Sequence, residues 1–350
     1  RDIEALQAQP WLLVCVDEAQ AIKNPAAAIS KSVKSIDALC RVALTGTPIE
    51  NRLLDLWSIC DFATPGYLRS QHGFLQWSKD DEDGAVYRCL RARLRPLLLR
   101  RLKSEVATEL PPRIEERRDC EMLPAQRKAY IAELKRTREM LDAVHDARII
   151  GQQRIQMLAA LMRLRQICCD PGLIGLESHG SGKIDATLEI VEELIEAGHK
   201  TLLFSQFVQM LERLRVHLDK RGIPHYLLTG QTQTRQRQEL IDRFSADDKP
   251  SVFLISLKAG GTGLNLTAAS HVLLYDPWWN PAVEAQAIDR THRIGQTRNV
   301  FAYRLIARDT VEEKVLELQK SKRDLADAIL NEDNRLLANL RPEDLDLLLS

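Results

Sequence analysis

From about residue 180 onward, short apolar runs alternate with amphipathic stretches, and this restricts the fold more than any other feature. Residues 201–207, 226–228, 252–256, 271–275 and 300–306 are each brief and dominated by branched or aromatic side chains. Between them, 184–197, 208–221 and 235–244 carry apolar residues at helical spacing, and 208–221 stops at Gly222. Continuous apolar runs suit strands covered on both faces. Strands separated by helices of about 10–15 residues require right-handed crossovers and a parallel sheet. The expectation is a complete α/β lobe over 179–332, closed by a helix over 311–330.

The chain begins with a shorter version of the same pattern. The run Trp11-Leu12-Leu13-Val14-Cys15-Val16 ends abruptly in Asp17-Glu18-Ala19-Gln20. It predicts a strand buried on both faces, with two carboxylates where open α/β sheets bind ligands. A second strand candidate starts at Arg41 and runs into Thr45-Gly46-Thr47-Pro48, where Gly46 frees the backbone and Pro48 stops a regular continuation. Residues 1–64 thus read as part of a first lobe. Over 65–178 the alternation is lost. An acidic loop at 80–84 and a basic, leucine-rich stretch at 91–103 precede helices predicted over 124–147 and 152–169. This segment is expected to be a helical insertion that braces two lobes. The stripe Leu158, Leu161, Leu164 and Ile167 reads as core. The 91–103 basic run is open between a solvated face and contact with nucleic-acid phosphates or between lobes. Residues 333–350 read as a tail.

Charge and cysteine content narrow the class. The 49 basic and 49 acidic residues cancel among the 350, so any phosphate-contacting surface must be a local patch. No apolar run approaches the roughly 18 residues that would cross a membrane, and no secretory signal is visible. The seven cysteines, all before residue 170, lack metal-ligand spacing. Adjacent Cys168 and Cys169 read as buried thiols in a reducing compartment, the cytoplasm or nucleoid, or the nucleus of a eukaryote.

Residues 286–296, Gln-Ala-Ile-Asp-Arg-Thr-His-Arg-Ile-Gly-Gln, carry two arginines three apart. On a helix that spacing puts both guanidinium forks on one face, and each fork matches phosphate oxygens. Alone, the pair also suits an ordinary basic helix end.

Together these blocks resemble a known family. Residues 17–24 (DEAQAIKN) and 44–51 (LTGTPIEN) resemble motifs two and three of the Swi/Snf-type ATPases of helicase superfamily two. Residues 202–207 (LLFSQF), 256–266 (SLKAGGTGLNL) and 286–296 resemble motifs four, five and six, and 99–106 (LRRLKSEV) resembles the family's link out of the first lobe. Five ordered blocks covering nearly the whole chain make the resemblance specific. It implies an α/β architecture of two RecA-like lobes, the first incomplete, with ATP bound between them. It implies that Asp17 helps hold Mg²⁺ and that Glu18 orients or deprotonates the attacking water. Arg290 and Arg293 would reach the phosphates across one cleft from those acids, and Gln20, Gly263, Asn265 and Gln286 would contact or couple to the nucleotide. Duplex DNA would meet Thr45, Ser205, Gln206, Thr229, Ser256, Lys258, Thr262 and Trp279. Trp279 would lie in the groove, or else pack the helix entry as Trp278 does. His292 would serve a hydrogen-bonding or structural purpose.

One departure stands out. The phosphate-binding loop, Gly-x-x-x-x-Gly-Lys-Ser/Thr, is missing. Gly180-Ser181-Gly182-Lys183 imitates its tail, but Glu177 and Ile184 occupy the places of the first glycine and the hydroxyl residue. Lys183 therefore reads as opening the second lobe. The expectation is the carboxyl-terminal portion of a larger ATP-dependent translocase on double-stranded DNA, acting near DNA-bound protein complexes. Two alternatives stay open, a non-catalytic DNA-binding module and an RNA helicase of the same superfamily.

Overall fold

The computed structural model describes residues 2–46, 53–78, 85–99, 101, 103–142, 150–260 and 263–328. Two compact units are present, one built on residues up to 102 and the other on residues 103–319.

The first unit holds a two-stranded parallel sheet, β1 (Trp11–Val16) beside β2 (Ala38–Ala43), with Trp11 opposite Ala38 and Val16 opposite Ala43. The helix Leu53–Ala63 packs on it, and Ser58 Oγ donates to Ile22 O at 2.7 Å. A small core of Leu56, Trp57, Leu68, Phe74, Leu90 and Leu94 joins that helix to Gln71–Trp77 and Ala85–Leu94. β1 was expected to be buried on both faces, and it is not. Leu12 and Leu39 are 75% and 84% exposed. The apolar run does form a strand, but among the described residues no element covers that part of the sheet.

The second unit is a six-stranded, wholly parallel sheet in the order β3-β8-β7-β4-β6-β5. Its strands are β3 (Arg113–Cys120), β4 (Thr201–Ser205), β5 (His225–Leu228), β6 (Val252–Ser256), β7 (His271–Leu274) and β8 (Val300–Ala307). β4, β6 and β7 are buried throughout, as their uncharged runs predicted. One face packs Phe204, Phe253 and Ile255 against helices Thr234–Ala246, which contributes Phe244, and Pro281–Ile288. The other packs Leu203, Leu254 and Leu273 against Gly182–Glu196 and Val208–Lys220. The sequence Arg-Ile-Glu-Glu-Arg-Arg-Asp-Cys of β3 gave no strand signal. It is a charged edge strand lying within the stretch read as helical, and its pairing with β8 decides its conformation.

The long helices Pro124–Asp142 and Ile150–Cys169 precede the second lobe's first helix. Leu161, Leu164 and Ile167 are buried, as are both adjacent cysteines. Gln126 ties the junction together. Its Nε2 donates to Ile167 O at 2.8 Å, and its Oε1 accepts from Gly182 N at 3.1 Å. Gly182 permits this approach, because a Cβ there would stand 2.0 Å from Glu121 O. Lys183 is 1% exposed, and its ammonium meets Tyr275 O, Leu305 O and the Glu312 carboxylate. It is a structural cation within the lobe, with no phosphate role. Among the described residues no helix is long and apolar enough to cross a membrane.

Candidate functional site

In the first unit, two parallel strands deliver two loops to one edge. Beyond the strands their main chains are stitched: Leu44 N donates to Val16 O at 2.8 Å, and Ala19 N donates to Leu44 O at 2.9 Å. Asp17 is exposed at the end of β1, with its Oδ1 accepting from Glu18 N at 2.8 Å. Glu18 adopts the left-handed conformation, φ 50° and ψ 51°. A non-glycine residue held there costs on the order of 1 kcal/mol, and such strain clusters at functional sites. Gln20 Nε2 donates to Glu18 Oε2 at 2.6 Å, and Thr45 Oγ1 donates to Gln20 Oε1 at 2.7 Å. Asp17, Glu18, Gln20 and Thr45 thus form one constellation that fixes the Glu18 carboxylate. Thr47 and Pro48 lie outside the described residues.

In the second unit every strand is parallel, so the loops after β4, β5, β6 and β7 gather at one carboxyl edge. There the expectation of two arginines on one helix face needs correction. The helix Pro281–Ile288 starts with an Asn280 cap and proline at its first position, and it ends before either arginine. Arg290 and Arg293 sit in the turns that follow. The backbone leaves the helix because the segment is claimed by the loop after β6. Leu266 N donates to Arg290 O at 3.0 Å, Arg293 Nη1 donates to Leu264 O at 3.4 Å, and Gln296 Nε2 lies 2.9 Å from Ala269 O and 3.1 Å from both Thr267 O and Thr291 O. Arg290 is buried and Arg293 exposed. A second set of ties comes from the start of β3 and the segment preceding it. Lys103 Nζ lies 2.7 Å from Asp289 Oδ1 and donates to His292 O at 3.0 Å, and Arg113 Nη1 lies 3.3 Å from the same carboxylate oxygen. His292 Nε2 lies 2.8 Å from Pro111 O, so that nitrogen carries the proton. This is the hydrogen-bonding role expected for His292.

Two domain families match this chain in order. Residues 1–173 match the SNF2-related domain, and residues 182–295 match the helicase conserved C-terminal domain. A solved structure of the Sulfolobus solfataricus SWI2/SNF2 ATPase core in complex with dsDNA is similar over 98% of this chain and 74% of that one, at 36% identity and a TM-score of 0.57. The chain belongs to the SWI2/SNF2 family. Curated relatives include an uncharacterized ATP-dependent helicase of Mycoplasma pneumoniae, 38% identical over 98% of this chain, and the putative ATP-dependent helicase/translocase YwqA of Bacillus subtilis, 39% identical over 95%. The chain spans about a third of their length, 33% and 37% respectively.

The remaining SWI2/SNF2 motif residues fall into two groups. Ser205, Thr229 and Ser256 are buried, Thr229 and Ser256 bonding within their own loops and Ser205 across to the loop after β7. Ser205 Oγ donates to Asp276 Oδ1 at 2.5 Å, Thr229 Oγ1 accepts from Gln231 N at 3.3 Å, and Ser256 Oγ accepts from Ala259 N at 3.4 Å. Lys258 and Asn265 are exposed, Gln206 and Gln286 are half-buried, and Gly263 has φ +42°. Thr262 lies outside the described residues. Trp279 is 6% exposed beside Arg165, whereas Trp278 is half-buried against the core. Sequence reasoning passed over Asp276, Glu284 and Arg165. Asp276 follows a buried strand just as Asp17 does, which was a usable signal. Burial pushes its carboxyl up to about 6, against the opposing pull of the Arg165 guanidinium. Glu284 lies in the first turn of its helix, accepts from Trp278 N at 2.7 Å and pairs with Arg304 at 2.9 Å.

Proposed function

We propose that this chain carries most of the working core of an ATP-driven motor that moves along double-stranded DNA. The observation that carries this reading is the stitched edge of the second sheet. There the turn bearing Arg290 and Arg293 is bonded to the loop after β6, so a guanidinium pair and a DNA-facing loop move as one piece. Glu18 is the residue proposed to orient or deprotonate the attacking water, and its bond to Gln20 holds it in place. Arg290 and Arg293 are proposed to neutralise charge developing on the transferred phosphoryl group, the effect through which phosphoryl transfer is mostly catalysed. Gln20, Gly263, Asn265 and Gln286 are proposed as nucleotide contacts, and Thr45, Gln206, Lys258 and Thr262 as the DNA-facing set, with the buried Ser205, Thr229, Ser256 and Trp279 shaping the loops of the second unit.

The donor chemistry fits Mg²⁺. That ion takes one or two carboxylates and completes its shell with phosphate oxygens and water. Asp17 offers an exposed carboxylate at the right edge, and no cluster of three metal-ligating side chains exists among the described residues. Bound there, the ion would screen the phosphate charge.

The reading also divides the chain into a first-lobe portion at 1–64, a brace and link at 65–178 that lends β3 to the second sheet, a second lobe at 179–332 and a tail. The 350 residues contain no phosphate-binding loop, and Lys183 is buried away from that duty, so they are expected to hydrolyse little ATP by themselves. The test uses the full-length protein. ATP turnover should rise with duplex DNA and respond much less to single-stranded RNA, and preference for RNA would favour the helicase alternative. Glu18→Gln should lower stimulated turnover by about 10²–10⁴-fold, the usual worth of a general base. Arg293→Ala should lower it by about 10³–10⁵-fold. DNA binding should survive in both. Ordinary turnover in either variant refutes the corresponding role.

A further inference from the structure

Arg165 sits in the helix Ile150–Cys169, outside the sheet and outside every motif block, with its side chain wholly buried. Its guanidinium reaches two loops at once. Nη1 donates to Gln206 Oε1 at 3.2 Å, in the loop after β4. Nη2 donates to Pro277 O and lies 3.6 Å from Asp276 Oδ2, in the loop after β7. The planar head lies 5.0 Å from the Trp279 ring centre and 5.9 Å from that of Phe207, within cation–π range of one ring from each loop. β4 and β7 are neighbours in the sheet, so one side chain from the helical segment clamps two adjacent strand exits at the edge where ligands bind.

The clamp is poorly arranged as a device for stability alone. Arg165 Nε, Asp276 Oδ2, Gln206 Nε2 and Trp279 Nε1 are buried and make no hydrogen bond among the described residues. A buried ion pair with incomplete hydrogen bonding is often no better for stability than apolar packing of the same volume. What the guanidinium supplies, and packing would not, is a fixed mutual geometry for Gln206 and Trp279.

We propose that Arg165 is a positioning residue for the motor: it locks the loops 205–207 and 276–279 together, using Trp279 as an inner packing surface, so that Gln206 and the loop after β7 meet duplex DNA as one unit. This rests on the proposed motor function. The loop partners of Arg165 are Gln206, Asp276 and Pro277, so it acts on the coupling to DNA and leaves the hydrolytic groups in place. Both a planar fork and two rings are needed. A lysine ammonium would keep the charge beside Asp276 but lacks the planar fork whose separate nitrogens reach Gln206 and Pro277 and whose flat face lies against the rings.

Two full-length variants test this, Arg165→Lys and the charge-neutral pair Arg165→Met with Asp276→Asn. The double variant avoids an unpaired buried carboxylate and is the one expected to fold best. Turnover per folded molecule is measured with and without duplex DNA, together with ATP KM and the DNA concentration for half-stimulation. In both variants DNA-stimulated kcat should fall on the order of 10-fold to 10²-fold, the penalty of misplacing contacting groups by about 1 Å. The half-stimulating DNA concentration should rise, while DNA-free turnover and ATP KM stay within about twofold. Wild-type stimulation in Arg165→Lys would show that only the counter-charge matters and would overturn the proposal. So would a parallel loss of DNA-free and DNA-stimulated turnover, which marks general damage. A wild-type protein that duplex DNA does not stimulate would instead overturn the motor reading itself, and this role with it.

Discussion

Lys183 carries a full positive charge inside the second lobe, held by two carbonyls and the Glu312 carboxylate. Burial alone would weaken its hold on the proton, but the Glu312 carboxylate outweighs that and keeps its proton affinity above the usual lysine range. Removing one member of such a pair leaves the other unpaired, which costs about 3–5 kcal/mol. Lys183→Met should therefore lower the unfolding free energy of the chain by that amount, and Lys183→Met with Glu312→Leu by much less, as urea denaturation would show. Equal losses in the two would mean that the carboxylate is not the partner that matters. Glu18 is the opposite kind of residue. Its left-handed backbone is strained, its carboxylate is half-buried, and its place is fixed by Gln20 and Thr45. The sequence indicated both residues, for different reasons. Glu18 was visible because a carboxylate pair follows an apolar run. Lys183 was visible only through what its glycine-rich neighbours lack. Arg165 was not visible, because one arginine in an amphipathic helix resembles any other until two distant loops are seen to converge on it.

Elements differ in how plainly their sequences announce them. β4, β6 and β7 could be read because burial on both faces leaves no room for charge. β3 could not, since an edge strand meets its needs through main-chain pairing and tolerates Arg and Glu on either side. The helix Pro281–Ile288 was predicted to run too far. Helical spacing continues beyond Ile288, but three carbonyls around Gln296 Nε2 draw the chain into a turn. β7 also carries a pH dependence. His271, packed beside His199 and stacked on Phe301, has its imidazole pushed down to about 4, chiefly by burial and then by His199. Between about pH 4 and 6.5 the unfolded chain then binds the proton that the folded chain refuses, so this group makes stability rise with pH. Asp276 works the other way, because its raised value favours the folded state at the acid end of nearly the same window. His271→Phe should remove the first effect and leave the second. Relative to wild type, the variant should be more stable at about pH 4.5 than at about pH 7, which urea midpoints at the two values would reveal. An unchanged difference would show that His271 does not titrate differently on folding.

At the scale of the whole molecule, the SWI2/SNF2 family and its parallel lobes followed from the order of the motif blocks, each weak alone. The partition of work within those blocks did not. Several hydroxyls expected at DNA turn inward and hold loops together, which only the fold could reveal. The two units are also unequally finished. The second covers its central strands β4, β6 and β7 on both sides. The first leaves Leu12 and Leu39 bare, between the paired Trp11–Ala38 and Leu13–Cys40. Apolar surface of that kind on a short sheet is adhesive in water. Purified by themselves, these 350 residues should clump as their concentration is raised, and Leu39→Lys should relieve the clumping without altering the second lobe, as light scattering would record. A chain that stays monodisperse at every concentration would mean that the leucines find shelter in solution.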